Sequence, residues 1–268
     1  MGSTQGYAST NGLKMYYEVR GAGQPLLLLH GGVGAAEMFD DILPLLSEDR
    51  QIIAAELQAH GHTADIDRPL RYEFMADDIA ALIEHLRLGR TDVMGYSLGG
   101  GVALRTTIQH PELVRKLVLV STPFRRDGWY PEVLAAMGQS GPESAEAMKQ
   151  TPMYQAYSRS APRPEDWPVL FTKLGEMLRR DYDWSADVVK IKSPTLIVVG
   201  DADSVRPAHA VEFFELLGGG KVDGGWDGSG ISSARLSILP GVTHYNIFSS
   251  PALAATVKRF LDAPMPTQ

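Results

Sequence analysis

Gly95-Tyr96-Ser97-Leu98-Gly99 stands at a junction between two kinds of sequence. Before it, Thr91 to Met94 reads as a buried strand; after it, Leu98 to Gln109 reads as a helix that ends before Pro111. A G-x-S-x-G run at such a junction has a mechanical meaning. A sharp strand-to-helix turn brings backbone segments close together, so Gly95 and Gly99 omit Cβ bulk while Ser97 is held in a strained conformation that projects its hydroxyl. The helix N-terminus behind the serine favours negative charge. A glycine-rich turn with a helix-capping serine has the same five letters, so partners for Ser97 must be sought elsewhere in the chain.

Working outward, Pro25-Leu26-Leu27-Leu28-Leu29 is a buried strand that runs into a tight loop at His30-Gly31-Gly32. Leu13 to Val19, entered through Asn11-Gly12, and Gln51 to Ala55 read as further strands. Glu37 to Leu46 carries a helical pattern, and Glu56 to Leu70 reads as a polar loop. Tyr72 to Leu88 spaces Phe74, Met75, Ile79, Leu82, Ile83 and Leu86 as one helix face, with Gly89 as its stop. Val114 to Val120 is another buried strand. Alternation of helices with all-apolar strands implies a parallel sheet covered on both faces. The alternation breaks between Thr122 and Lys190, where seven prolines punctuate short helical segments rich in aromatics. It resumes with Thr195 to Val199, Ala208 to Leu217, Ala234 to Leu239 and Leu253 to Leu261, and the glycine-rich Gly218 to Gly230 reads as a flexible surface loop. The expected architecture is an α/β core over 1–121 and 191–268, with a helical lid inserted over 122–190.

Composition narrows the function. The 268 residues, 44% apolar and 21% charged, are ample for a substantial core. The 25 Lys and Arg against 32 Asp and Glu give a charge of -7 with no basic cluster, which argues against nucleic acid or an anionic membrane as partner. A small, neutral substrate and a monomer or small homo-oligomer are expected. The chain has no cysteine, which excludes disulfides, thiolate metal sites and cysteine nucleophiles. Met1 to Gly6 is small and polar without an apolar h-region, and no apolar run approaches the roughly 20 residues of a membrane helix, so a cytoplasmic location is expected.

A serine hydroxyl is a weak nucleophile until a base takes its proton, so an acid and a histidine are sought downstream in the order Ser, Asp, His. Asp203 follows a strand in Val199-Gly200-Asp201-Ala202-Asp203, and His244 follows another after Gly241-Val242-Thr243. Asp201 is the rival acid, with bracing of the turn as its other role. Among the remaining histidines, His85 and His110 fall on helices, His209 at a helix start, and His60 and His62 in the polar loop. Developing negative charge needs backbone donors already in place. The His30-Gly31-Gly32-Val33-Gly34 loop offers the Gly32 amide, with Val33 one register away, to pair with the Leu98 amide. No Lys-Ser/Thr follows this loop and G-x-G-x-x-G spacing is missing, so nucleotide binding is not expected. His60-Gly61-His62 lacks a third ligand at clear spacing, so neither metal nor cofactor is expected.

Together these residues resemble the α/β-hydrolase superfamily, in its lidded branch of small esterases and related hydrolases. The resemblance rests on His30-Gly31-Gly32, Gly95-Tyr96-Ser97-Leu98-Gly99-Gly100, Gly200-Asp201-Ala202-Asp203 with Pro207, and Gly241-Val242-Thr243-His244. In that pattern the acid is the aspartate three residues after the glycine, here Asp203. One stretch departs: where the family commonly has Asp-x-x-Gly-x-Gly-x-Ser, this chain has Glu56-Leu57-Gln58-Ala59-His60-Gly61-His62-Thr63, with Ala59 in place of a glycine. The serine at the elbow argues against the family's epoxide hydrolases and dehalogenases, which carry aspartate there, and no Trp follows it as is frequent in proline iminopeptidases. The resemblance implies two-step acyl transfer, with Ser97 as nucleophile, His244 as base, Asp203 as orienting acid, and Gly32 and Leu98 as oxyanion donors. Carboxylic ester hydrolysis leads, with lactone hydrolysis, C–C bond hydrolysis, perhydrolysis and a non-catalytic ligand receptor as alternatives. Trp129, Tyr130, Met153, Tyr154, Tyr157, Trp167, Phe171, Met177 and Trp184 suit an apolar acyl or aryl group, though most serve as lid core. Tyr96, Trp129, Tyr154 and Trp167 are the expected substrate contacts, and Arg125, Arg126 and Arg206 are the charged residues expected nearest the mouth.

Overall fold

In the computed structural model, which describes residues 4–265, the apolar runs become the middle of an eight-stranded sheet of order β1-β2-β4-β3-β5-β6-β7-β8. The first three residues of the small polar N-terminal stretch lie outside the described part. Strands β1 (Thr4–Thr10) and β2 (Leu13–Gly21) form a hairpin at Asn11-Gly12, both with positive φ, and β2 runs antiparallel to β4 (Arg50–Ala55). From β4 onward, β3 (Gln24–Leu29), β5 (Thr91–Tyr96), β6 (Val114–Val120), β7 (Thr195–Ala202) and β8 (Ala234–Thr243) pair in parallel. β1 went unread in the sequence because its small, polar residues carry no apolar run.

Side chains alternate across these strands, which explains why the runs are apolar throughout. Leu27, Leu29, Ile53, Val93, Leu117, Leu119 and Ile197 face one side; there they meet α2 (Tyr72–His85), α3 (Leu98–Gln109) and α9 (Pro207–Leu216) through Ile79, Val102 and Phe213. Leu26, Leu28, Ile52, Met94, Val118, Leu196 and Val198 face the other, against Leu43 and Leu46 of α1 (Leu43–Leu46) and Leu253 and Val257 of α10 (Pro251–Asp262). Each fully buried Leu or Ile contributes about 1.5–3 kcal/mol, so the two layers fix the register of every inner strand.

Between β6 and β7 lie α4 (Pro131–Gly138), α5 (Pro142–Met148), α6 (Pro152–Ser160), α7 (Trp167–Leu178) and α8 (Ser185–Val188). Pro131, Pro142, Pro152 and Pro168 each sit in a first turn, where the missing N–H costs nothing.

Two expectations change. Glu37 to Leu46 is not one helix but a 3-10 turn, Ala36–Phe39, and the separate short α1, because Pro44 begins a helix more readily than it continues one. The stretch after β4 is loop, but not a solvated one: Glu56, Gln58, His60 and Thr63 are all buried. No helix is long and apolar enough to cross a membrane among the described residues.

Candidate active site

Ser97 directly follows the last residue of β5 and precedes α3, with φ 54° and ψ -115°. For a non-glycine residue this conformation costs on the order of 1–3 kcal/mol, which the packed turn sustains. A Cβ on Gly95 would collide with the Gly99 carbonyl, and one on Gly99 with the Leu29 carbonyl, so the turn closes only with glycine at both positions. Asp203 directly follows β7 and His244 directly follows β8. Three parallel strands therefore deliver the serine, the acid and the histidine to one edge of the sheet.

Their side chains form a hydrogen-bonded chain. His244 Nδ1 lies 2.9 Å from Asp203 Oδ1. A carboxylate only accepts, so this nitrogen carries the proton and leaves Nε2 to accept from Ser97 Oγ at 3.1 Å. Asp203 also accepts from the Ser121 hydroxyl at 2.5 Å and from the Gly200 and Val205 amides at 3.0 and 3.1 Å. Burial pushes the Asp203 carboxyl up, but bonds from His244, Ser121 and Gly200 outweigh it and hold the group below the usual carboxylate value. Asp201 points elsewhere: its Oδ1 accepts from the Gly241 and Val242 amides at 2.8 and 3.3 Å, bracing the loop before His244. Sequence reasoning missed Ser121. Its one signal was position, immediately after β6 and between the strands that carry Ser97 and Asp203.

Gly32 and Leu98 are neighbours, since a Cβ on Gly32 would lie 3.9 Å from Leu98 Cδ2. Among the described residues neither amide donates to a backbone carbonyl. Val33, the alternative, lines the same space with φ 63°.

Ser97 and His244 open onto a cavity of about 440 Å³. Its walls include Tyr72, Trp129, Met153, Phe171, Leu174 and Leu178, and no Asp, Glu, Lys or Arg lines it. Tyr96 is on the wall, but its hydroxyl donates to the His244 carbonyl at 2.6 Å, so it also fixes the histidine backbone. Trp129 stands edge-on to the His244 ring at 5.4 Å. Tyr154 and Trp167 do not line the cavity. Trp167 is fully buried, its indole N–H donates to the Ala145 carbonyl at 2.8 Å, and Tyr154, Tyr157 and Phe171 pack around it at 4.8–5.4 Å. It is the core of the helical insertion, and Tyr154 covers it. The arginines expected at the mouth are occupied: Arg125 with Glu212 and Asp127, Arg126 with the Leu178 carbonyl and Arg206 with the Asp127 carbonyl.

His60 donates from Nδ1 to the Gln58 carbonyl at 2.8 Å, whereas His62 faces Glu56 at 3.1 Å. The two imidazoles have separate partners. Among the described residues no group of three His, Asp or Glu stands together as metal ligands.

Residues 24–139 match the family described as alpha/beta hydrolase fold. Over 258 residues the chain is 39% identical to the pimeloyl-[acyl-carrier protein] methyl ester esterase of Neisseria meningitidis serogroup B, covering 88% of this chain and 92% of that protein. Other relatives match over shorter stretches. A Haemophilus influenzae protein is 33% identical over 105 residues, 39% of this chain and 36% of its own length. The 2-hydroxymuconate semialdehyde hydrolase of Pseudomonas sp. strain CF600 is 32% identical over 115 residues, 41% of each chain. Among solved structures, E-2-(acetamidomethylene)succinate hydrolase superposes with a TM-score of 0.76 at 21% identity, over 98% of this chain and 100% of that one. The thermophilic esterase of Thermogutta terrifontis gives 0.71 at 22%, over 97% and 98%. These two likenesses concern the fold.

Proposed function

The chain belongs to the α/β-hydrolase family, and we propose that it is a serine hydrolase cleaving carboxylic esters of small or medium, neutral, largely apolar acyl groups. The observation that carries this reading is the Ser97–His244–Asp203 hydrogen-bonded chain opening onto a cavity whose lining holds no ionic side chain. Its likeness to a methyl ester esterase over nearly its whole length supports the reading.

In the proposed mechanism, His244 Nε2 takes the Ser97 proton as Oγ attacks the ester carbonyl. The Gly32 and Leu98 amides stabilise the developing oxyanion, whose charge the start of α3 also favours. His244, now doubly protonated, gives its proton to the departing alcohol, leaving an acyl group on Ser97. Water repeats the sequence and releases the acid. Asp203 keeps the Nδ1 proton in place and stabilises the imidazolium, while Ser121 and Tyr96 fix the acid and the histidine backbone. The proposed lid, residues 122–190, supplies Trp129, Met137, Met153, Phe171, Leu174 and Leu178 to the cavity. These side chains shield the acyl group from water. A substrate bearing a carboxylate on its acyl arm finds no cation there, which favours neutral esters over acidic C–C cleavage substrates.

Fluorophosphonate labelling followed by a p-nitrophenyl ester series of increasing chain length tests the proposal. Labelling that Ser97→Ala abolishes, with turnover highest for uncharged acyl groups, is expected. A wild-type protein that neither labels nor turns over any ester overturns the proposal and favours the ligand-receptor reading.

A further inference from the structure

The Glu56 to Thr63 loop, where this chain departs from its family's pattern, has no part in the mechanism above, yet it packs against the segment that carries Gly32. Resting on the reading of Ser97 as a nucleophile, we infer that Glu56 is a positioning residue whose buried carboxylate holds the Gly31–Ala35 segment so that the Gly32 amide stays aimed at the oxyanion.

Glu56 follows β4 as His30 follows β3, and these parallel strands are paired up to Leu29 and Ala55. The two residues are thus brought side by side at the active edge. Glu56 is 1% exposed. Its Oε1 accepts from the Ala36 amide at 3.2 Å, and its Oε2 from the His62 amide at 2.5 Å, with the His62 ring at 3.1 Å. The next residue, Leu57, donates its N–H to His30 Nε2 at 3.1 Å, and His30 Nδ1 donates to the Gly31 carbonyl at 2.7 Å. Both ends of the segment, His30 and Ala36, are therefore tied to the consecutive pair Glu56 and Leu57.

The segment has few restraints of its own for its glycine content. Gly31, Gly32 and Gly34 make up most of it, and glycine carries the largest backbone freedom. Its own restraints include a Gly34 N–H to Gly31 carbonyl bond at 3.1 Å, a long contact from the Gly31 amide to Met38 Sδ at 3.5 Å and, at its far end, a Met38 N–H to Ala35 carbonyl bond at 3.0 Å. The outer loop is in turn shaped around the carboxylate: Gly61 has φ 50°, and a Cβ there would collide with Glu56. An oxyanion donor acts only where it points, and a displacement of about 1 Å at such a site costs on the order of a hundredfold in rate.

Glu56→Gln tests this, since it keeps the shape but presents an NH2 to one of two N–H donors. For p-nitrophenyl butyrate, kcat is expected to fall about tenfold to a hundredfold with KM within about threefold. Fluorophosphonate labelling of Ser97 should slow in parallel, and Glu56→Asp, which restores the charge on a shorter arm, should recover part of kcat. His62→Gln removes only the ring contact and should leave kcat within about threefold. An active wild type whose Glu56→Gln variant keeps its kcat, or changes only KM, overturns the assignment. If Glu56→Gln does not fold, Glu56→Asp decides alone: a carboxylate withdrawn by one methylene must lower kcat at constant KM, and an unchanged kcat refutes the role. Failure of the hydrolase reading is visible separately, as a wild type that neither labels nor turns over ester.

Discussion

Asp201 and Asp203 are two residues apart and differ in what they face. Asp203 collects the His244 ring, the Ser121 hydroxyl and two amides, whereas Asp201 takes only the amides of Gly241 and Val242. In the proposed mechanism, Asp203→Asn presents an NH2 where acceptors are needed and disfavours the productive imidazole tautomer, so kcat should drop by about 10³–10⁴-fold. Asp201→Asn keeps a carbonyl oxygen for the two amides and should leave kcat within about threefold. Steady-state kinetics on a single ester compares the two; equal losses would show that the acid had been misassigned. At this scale the sequence was legible wherever a residue's place is set by local punctuation. Ser97 lies between two obligatory glycines, and Asp203 and His244 each stand just past an apolar run. Trp167 and Tyr154 were not legible as insertion core, because aromatic composition is the same for a cavity wall and for the packing behind it. Only the distribution of partners, such as the Trp167 bond to Ala145, separates the two.

Among elements, one regularity organises the site. The first residue after each of β3, β4, β5, β6, β7 and β8 is His30, Glu56, Ser97, Ser121, Asp203 and His244 respectively. Parallel pairing ends the strands at one edge, so the polar residue that follows each strand arrives beside its counterparts. The strands themselves were readable from those runs. The burial of the loop after β4 was not, since its polar side chains look solvated until their bonds are known. The same loop holds the helical insertion down: Lys173 of α7 donates to Asp65 Oδ2 at 2.6 Å and to the Ile66 and Arg68 carbonyls at 2.7 and 2.9 Å. Both charged side chains are mostly shielded, at 17% and 10% exposure, so removing one leaves the other poorly solvated. Lys173→Met should lower stability by about 1–3 kcal/mol. It should also speed tryptic cleavage within 131–180 more than elsewhere, as followed by mass spectrometry of the fragments. Uniform cleavage along the chain would show that this contact does not anchor the insertion.

For the molecule as a whole, the neutral imidazoles it buries set its response to acid. Burial, with His60 beside it, pulls His30 down to about 3, and burial pulls His60 down to about 4. Burial and the nearby Arg125 pull His209 down to about 4. Each folded value lies below the unfolded value near 6.5, so between roughly pH 4 and 6.5 the unfolded chain binds protons that the folded chain does not, and stability falls as pH falls. His62 works the other way through its bond to Glu56, but it is partly exposed and contributes less. Asp78 and Asp92, whose carboxyls burial pushes up against the pull of Arg68 and Arg115, also oppose the trend, toward its acid end. The three buried histidines should therefore dominate between pH 6.5 and 5, each contributing up to about 2 kcal/mol of loss. Urea unfolding at fixed ionic strength should show a midpoint that falls steadily across that interval. His209→Gln isolates one contributor, because a side-chain carbonyl can take over the Phe124 N–H that His209 Nε2 now accepts at 3.3 Å. That variant should lose less stability between pH 6.5 and 5 than the wild type, by roughly a third of the histidine contribution. An unchanged pH dependence in His209→Gln would mean that this imidazole takes up its proton as readily in the folded chain as in the unfolded one.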